Sequence, residues 1–466
     1  MFVAATLSLL AAVLPQGATD PGSKPPAKPA AAQDGQPGTV LSERELDDLH
    51  KKLREYLAAD QVYFTTTDKA HEKARKPYEK AKHAFEEAWA KAEKKGNVLG
   101  SMADLRAMFF NCFERERPKH SAATLHTREI KDDVLGALTY GIYVPKAYKP
   151  EEPMPLVISF PGQAANAGEW TKFKDWFETA WAKGAPLEGA IAMIPQIPEH
   201  LEMDPIPDYN RDGAEGEEDR RNRTLFVTLN EMLTGYNIDR GRIFLDCARG
   251  TCGYVVRMLT LFPDRFAGAV LREPVAVEDL RLGNLVGIPL LLLSTPATKD
   301  RIEALQKRIH EFSPGTVTVL EAKGQYPHAE SDADILAWMK DKQLSMSPKH
   351  VVLEPNHDRF NRAFWVDIIV ADSLLTTAPD KKPRLEVTAD RAQNRILVKA
   401  VGVERFELLL NDDLVDLDKE FTVVVNDKPV SEKRNRSFWD MLERMLKRSN
   451  WDCLFPVVYT TTVPKE

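Results

Sequence analysis

The sequence lacks the marks of several protein classes. Lys and Arg total 63 against 70 for Asp and Glu, so the net charge is −7 and no basic excess is available for a phosphate backbone. We therefore expect no nucleic-acid partner. Only four cysteines occur in 466 residues, too few for a disulfide scaffold. They are Cys112, Cys247, Cys252 and Cys453.

One apolar segment stands near the first residue. Phe2–Leu14 consists of apolar and small residues and is shorter than the ~20 residues that span a bilayer. Such a segment is typical of a signal-peptide core, so we expect a signal peptide over 1–18, a secreted or periplasmic protein, and no membrane span after cleavage. Residues 19–40 are rich in Pro, Ala and Gly and predict a disordered linker.

Helical patterns occupy residues 41–120. Ser42 and Glu45 form a capping-box pattern ahead of apolar residues at helical spacing. A second helix is predicted over 68–95, with an aromatic stripe on one face, and Pro77 should kink or divide it. A third is predicted over 102–113. We interpret the region as a packing surface or as a surface for a protein partner.

Residues 121–345 show short apolar runs that alternate with helical patterns. This alternation predicts crossover connections and an α/β fold with a mostly parallel sheet. The predicted strands are 138–144, 155–160, 190–194, 242–245, 267–271, 288–293 and 316–320, and the predicted helices are 171–183, 224–234, 252–261 and 301–312.

The alternation ends after Trp338, and residues 350–466 predict a small β-rich C-terminal domain. Asn426-Asp427 is typical of a tight turn between strands, and one helix is expected over 437–448. The predicted strands are 363–370, 384–389, 395–400, 405–410 and 420–425.

Residues 138–340 carry motifs in a recognisable order. Tyr140–Pro145 precedes the first buried strand, Phe160–Gln163 follows it, Asn237–Leu245 leads into a sharp turn, and Phe262–Gly268 follows the next helix. This order resembles the α/β-hydrolase fold family, especially exported esterases and the prolyl-oligopeptidase or polyester-depolymerase type. The resemblance implies an oxyanion-hole region at Gly162, Gln163 and Gly250.

The nucleophile elbow of this family has the pattern G-x-S-x-G on a strained strand-to-helix turn. Counting forward from the strand at 242–245 places Arg249 at the nucleophile position, and counting back from Pro263 across the helix gives the same residue. A guanidinium remains protonated near neutral pH and cannot attack a carbonyl. We therefore expect catalysis through this elbow to be lost or altered.

Two other residues complete the resemblance. His328, after the strand at 316–320, stands where the family keeps its catalytic base, and Asp300 is the candidate acid that orients it. A shifted register makes Cys252 a thiol nucleophile near a helix N-terminus, as in dienelactone-hydrolase relatives. Buried thiols, or a disulfide between Cys252 and Cys247, explain the same residues without catalysis.

One acidic segment has the spacing of a calcium loop. Asp208, Asn210, Asp212 and Asp219, with Gly213, follow the pattern D-x-N-x-D-G-x5-E except for Asp at the last position. The alternative is a solvated acidic loop. The motifs call for no cofactor other than calcium.

Three functional hypotheses follow. The first is an exported, noncatalytic or chemically altered hydrolase-fold protein that binds a small-molecule ester, carboxylate or glycan-linked ligand. The second is an active esterase-type hydrolase that uses Cys252 and His328. The third is an envelope interaction protein that acts through its N- or C-terminal region.

Overall fold

The computed structural model describes most of the chain from Thr39 onward. The chain divides into two compact units. Unit one takes residues 1–115, 409–420 and 433–458, and unit two takes 116–408, 421–432 and 459–466. The predicted C-terminal domain, 350–466, is therefore divided between the units. The described residues are 39–109, 123–161, 173–181, 187–195, 214–275, 282–355, 357–370, 382–448 and 450–464.

The helices of the described part are labelled in chain order. They are α1 (Glu43–Thr65), α2 (Asp68–Glu93), α3 (Met102–Phe109), α4 (Phe173–Ala180), α5 (Ala214–Gly235), α6 (Thr251–Leu261), α7 (Lys299–His310), α8 (Asp332–Lys340) and α9 (Phe438–Arg448).

The strands are labelled in the same way. They are β1 (Leu125–Asp132), β2 (Gly136–Tyr143), β3 (Met154–Phe160), β4 (Ile191–Pro195), β5 (Ile238–Ala248), β6 (Gly268–Arg272), β7 (Leu290–Ser294), β8 (Val317–Glu321), β9 (His350–Leu353), β10 (Arg362–Ala363), β11 (Val366–Ile368), β12 (Arg384–Asp390), β13 (Arg395–Val401), β14 (Arg405–Leu410), β15 (Phe421–Val425), β16 (Lys428–Glu432) and β17 (Val457–Thr462).

Unit one contains helices α1, α2, α3 and α9. The capping box of Ser42 and Glu45 is present at the start of α1, as predicted. The aromatic stripe of α2 is buried: the Phe85 ring lies 5.1 Å from Phe438 and the Trp89 ring 4.5 Å from it. Helix α9, which follows far along the chain, therefore completes the core of the N-terminal helices.

The sequence predicts a kink or a division at Pro77, and α2 continues through this residue without dividing. A proline inside a helix removes one hydrogen bond and crowds the preceding turn. Here buried residues lie on both sides of it, Ala74 before and Phe85 after. The packing of these residues offsets the free-energy cost of the proline, so tertiary contacts override the helix-breaking tendency of Pro77.

The main sheet of unit two has eight strands in the order β1-β2-β4-β3-β5-β6-β7-β8. The pairs β1–β2 and β2–β4 are antiparallel, and the pairs from β4 to β8 are parallel. The predicted α/β class with a mostly parallel sheet is thus confirmed. Strand β1 was not predicted, because its charged residues lie at an edge and show little apolar alternation.

The central strands are buried on both faces. Every residue of β4, β6 and β7 is buried, as expected of parallel strands covered by helices. One hydrophobic cluster includes α6 and the C-terminal part of α5, and the other includes α4 and α8. The rigid layer so formed positions the carboxyl ends of β5, β6 and β8 along one edge of the sheet.

Two smaller sheets contain the remaining strands. One has the order β16-β15-β13-β12-β9 and the other β10-β11-β14-β17. Asn426 and Asp427 connect β15 to β16 with φ of 45° and 64°, the positive angles of a tight hairpin turn, which confirms the predicted turn. Strands β9, β16 and β17 were not predicted.

Candidate active site

A sharp turn joins β5 to α6, and Arg249 occupies its tip. Strand β5 ends at Ala248 and α6 begins at Thr251, with Gly250 as its N-cap. Arg249 has φ of 49°, in the left-handed region that side chains rarely adopt. Arg249, which counting from either side of the turn places at the nucleophile position, is therefore the residue with the strained backbone.

Local hydrogen bonds hold the turn in this shape. The Thr251 hydroxyl donates to the Ala248 carbonyl at 2.9 Å. The backbone N–H of Arg249 donates to the Arg272 carbonyl at 2.9 Å, and its own carbonyl accepts from Val275 at 3.3 Å. The tip is thus tied to the segment that follows β6.

The Arg249 guanidinium has two partners. Its Nε lies 3.0 Å from Oε2 of Glu273, and its Cζ lies 3.7 Å from the centre of the Tyr326 ring. The Arg249 side chain is 49% exposed and that of Glu273 is 14% exposed. Burial raises the pKa of Tyr326 to about 12, although the charge of Arg249 acts in the opposite direction. The Tyr326 hydroxyl is therefore protonated near neutral pH.

Glu273 also contacts the predicted base. The Nε2 atom of His328 lies 3.1 Å from Oε1 of Glu273, and Nδ1 lies 3.2 Å from the Gly324 carbonyl. In a catalytic triad Nε2 faces the nucleophile and Nδ1 faces the acid. Here the carboxylate takes the side of the nucleophile, and a backbone carbonyl takes the side of the acid.

Arg249, Glu273 and His328 form a hydrogen-bonded cluster, and all three have left-handed backbone conformations. The φ angles are 49° at Arg249, 50° at Glu273 and 68° at His328. Such a conformation costs roughly 1–2 kcal/mol for a residue other than glycine. Strained residues that persist in a fold concentrate at functional sites. Their convergence on one hydrogen-bonded cluster marks this point as the candidate site.

A buried ionic network lies next to the cluster in sequence and in space. Nε of Arg272 lies 2.9 Å from Asp246, and its Nη1 lies 3.2 Å from Asp332 and 2.9 Å from the Pro327 carbonyl. All three charged side chains are fully buried. Burial raises the pKa of Asp332 to about 7, although Arg272 lowers it. Arg272 thus connects the strand that precedes Glu273 to the loop that carries His328.

Cys252 lies in the first turn of α6 and is completely buried. Its Sγ atom lies 2.8 Å from Sγ of Cys247, which is also buried. Burial, followed by the neighbouring thiol of Cys252, raises the pKa of Cys247. Within the described residues no hydrogen bond joins Cys252 to His328, whose ring nitrogens lie against Glu273 and the Gly324 carbonyl.

The other predicted site residues lie elsewhere. Asp300 is exposed in the first turn of α7, where a carboxylate interacts favourably with the helix dipole. The Gly324 carbonyl, and not Asp300, faces Nδ1 of His328. Gly162 and Gln163 lie outside the described residues. So do Asp208, Asn210 and Asp212, and Asp219 lies on α5. Within the described ranges no three His, Cys, Asp or Glu residues are grouped as metal ligands.

The sheet order and the elbow together decide the fold. The turn from β5 to α6 has a strained residue at its tip and lies at the carboxyl edge of the parallel strands. This arrangement matches the nucleophile elbow of the α/β-hydrolase fold. The chain has the α/β-hydrolase fold. No protein-family model matches the chain, and no curated protein does.

Solved structures of hydrolase-fold proteins resemble it at low identity. A thermostable esterase matches with a TM-score of 0.36 and 17% identity, over 47% of this chain and 63% of that one. An S-formylglutathione hydrolase from Agrobacterium tumefaciens matches at 0.36 and 13%, over 50% and 100%. A ferulic acid esterase matches at 0.35 and 16%, over 47% and 98%.

Two residues of the hydrolase-fold site were not predicted. Glu273 and Tyr326 both contact Arg249, although neither was assigned a role from the sequence. A signal for Glu273 was present, because it lies two residues after the predicted buried strand 267–271. In parallel sheets, ligand-binding residues gather outside the carboxyl ends of the strands.

Proposed function

We propose that this hydrolase-fold chain is a noncatalytic protein that binds a small molecule with a carboxylate group at Arg249. The observation that supports this best is the arginine at the strained tip of the elbow. Acyl transfer requires an attacking atom at this position, and a guanidinium has no lone pair to offer. An ester or glycan-linked ligand that carries a carboxylate fits the same proposal.

The charge and the position of Arg249 favour an anion. Its guanidinium remains cationic near neutral pH, and the residue directly precedes Gly250, the N-cap of α6. The dipole of this helix also favours an anion at its N-terminus. Glu273 accepts a hydrogen bond from Nε and so pairs with one edge of the guanidinium.

The Arg249 guanidinium retains donors for a ligand. Tyr326 covers its face, and Glu273 accepts from Nε. Stacking uses the face of the guanidinium and leaves the N–H groups at its edge available. In the described part of the chain no acceptor contacts the Nη groups, and the side chain is about half exposed. A carboxylate can pair with these groups in a bidentate geometry.

Calorimetric titration with benzoate and with its methyl ester tests the binding proposal. We expect benzoate to bind, methyl benzoate to bind weakly or not at all, and Arg249→Gln to weaken benzoate binding by about 10-fold or more. Arg242→Gln is the matched control, because it makes the same substitution at another partly exposed arginine, on strand β5. Arg242 pairs with Asp239, and its side chain is 32% exposed. Equal benzoate affinity in the Arg249→Gln variant and the native protein overturns the proposal.

A separate experiment tests the absence of catalysis. We expect no hydrolysis of a panel of p-nitrophenyl esters above the buffer rate, and no labelling by a fluorophosphonate probe. Cys252→Ala and His328→Ala variants of the full chain accompany the assay. Hydrolysis that both substitutions abolish contradicts the proposal and favours the active esterase hypothesis.

We also propose that the chain is exported, on the basis of the apolar segment Phe2–Leu14. Across the described residues, no helix has the length and apolar character required to cross a bilayer. Cell fractionation of the native chain and of a Leu9→Arg variant tests the proposal. We expect the native chain in the periplasm or medium and the variant in the cytoplasm. A cytoplasmic native chain refutes it.

A further inference from the structure

The two cysteines on either side of the elbow are unusually close. Sγ of Cys247 and Sγ of Cys252 lie 2.8 Å apart, which is closer than two nonbonded sulfur atoms normally approach. A disulfide measures about 2.05 Å, so its formation requires an approach of only about 0.8 Å. We propose that Cys247 and Cys252 form a disulfide that locks the elbow beneath Arg249.

The surrounding elements hold both sulfur atoms in place. Cys247 lies in β5, in register with Phe160 of β3 and Leu271 of β6. Cys252 is the second residue of α6, and its backbone N–H donates to the Arg249 carbonyl at 3.2 Å. Both side chains are fully buried in the same hydrophobic cluster. The bond therefore closes a short ring whose only strained member is Arg249.

The reaction is a thiol–disulfide exchange. The two thiols lose two protons and two electrons as the S–S bond forms, and the disulfide of oxidised glutathione or of a disulfide oxidoreductase accepts them and becomes two thiols. Burial raises the pKa of Cys247, which disfavours the attacking thiolate in the folded protein. The bond therefore forms while the turn is still open, during folding in an oxidising compartment.

The bond has a consequence for the site. It ties the end of β5 to the first turn of α6. The bond therefore limits the conformations available to Arg249 without contacting the ligand. It also leaves Cys252 without a nucleophilic thiol. Oxidation in such a compartment requires the proposed export, whereas the distance between the two sulfur atoms depends neither on export nor on carboxylate binding.

Tryptic mapping of the full chain tests the bond directly. The chain is refolded in a glutathione redox buffer, denatured with excess alkylating reagent and no reductant, and digested. Trypsin cleaves after Arg242, Arg249 and Arg257, so each cysteine falls on its own peptide. We expect peptides 243–249 and 250–257 to remain linked, and to separate only after reduction. Two fully alkylated, unlinked peptides overturn the proposal.

Variants separate the bond from general effects of folding. Cys453→Ser serves as the control, because Cys453 is also a buried cysteine but belongs to unit one. We expect this variant to keep the linked peptides. For Cys252→Ser we expect no linked peptide and a Tm about 5 °C below that of the oxidised native chain, and for the reduced native chain a similar decrease. An unchanged Tm on reduction contradicts the locking role, and the peptide map still reports on the bond if the variant fails to fold.

Discussion

Arg272 shows at the scale of one residue how the candidate site depends on a buried charge. Its guanidinium lies between the carboxylates of Asp246 and Asp332, and all three side chains are excluded from solvent. Removing one partner from a buried ionic group leaves the others uncompensated. We expect Arg272→Met to lower the free energy of unfolding by about 3–5 kcal/mol, measured by urea denaturation.

The partly exposed ion pair between Arg242 and Asp239 on β5 provides the comparison. Arg242→Gln removes a partly exposed ion pair with Asp239, so we expect a loss of only about 0.2–1 kcal/mol. Combining Arg272→Met with Asp332→Asn should recover part of the larger loss, because one of the two uncompensated carboxylates becomes neutral. Similar losses in Arg272→Met and Arg242→Gln would show that the network is not the source of stability.

Asp332 makes stability depend on pH. Burial raises its pKa from 3.8 to about 7 in the folded state. The folded chain therefore holds a proton that the unfolded chain releases, so this contribution to stability is complete below 3.8 and is lost as pH rises through 7. We expect Asp332→Asn, which cannot titrate, to become more stable relative to the native chain as pH rises across this window. Urea denaturation at several pH values measures it, and a constant difference contradicts it.

The sequence indicated part of the cluster and missed part of it for physical reasons. Arg249 was found because the strand before the elbow and the loop after α6 fix its position independently. Glu273 was missed because its partners lie far along the chain, and only the folded sheet brings β6 next to the loop of His328. Asp300 illustrates the same limit, since an acid after β7 satisfies the order of the family yet lies on the exposed start of α7.

At the scale of elements, burial decided which predictions succeeded. Strands β3, β6 and β7 are mainly apolar and buried, and the sequence predicts each of them within a few residues. Strands β1 and β16 lie at sheet edges with mostly exposed or half-exposed residues, so their sequences carry little periodic signal. Capping chemistry indicated the start of α1.

Helix α2 yields a prediction at this scale. Phe85 is fully buried and contacts the rings of Tyr56 and Phe438, whereas Phe64 on α1 is 62% exposed. Truncating a buried phenylalanine removes its apolar contacts and leaves a cavity. We expect Phe85→Ala to cost about 3–5 kcal/mol of unfolding free energy and Phe64→Ala less than about 0.5 kcal/mol, by urea denaturation. Equal costs would mean that α1 and α2 do not pack as described.

At the scale of the whole molecule, unit one is assembled from both ends of the chain. Phe438 is buried against Trp89 and Phe85, and its ring lies 6.2 Å from that of Phe109. A fragment 41–120 lacks α9 and exposes the apolar faces that α9 covers. The helices α1, α2 and α3 alone then have little core to offset their conformational entropy. We therefore expect the fragment to melt without cooperativity by circular dichroism, while the full chain melts cooperatively.

Addition of residues 433–458 through a flexible linker should restore a cooperative transition, because this segment carries α9. A cooperative transition of 41–120 alone would show instead that the N-terminal helices are an independent module, and would revive the hypothesis that they act as a separate interaction surface.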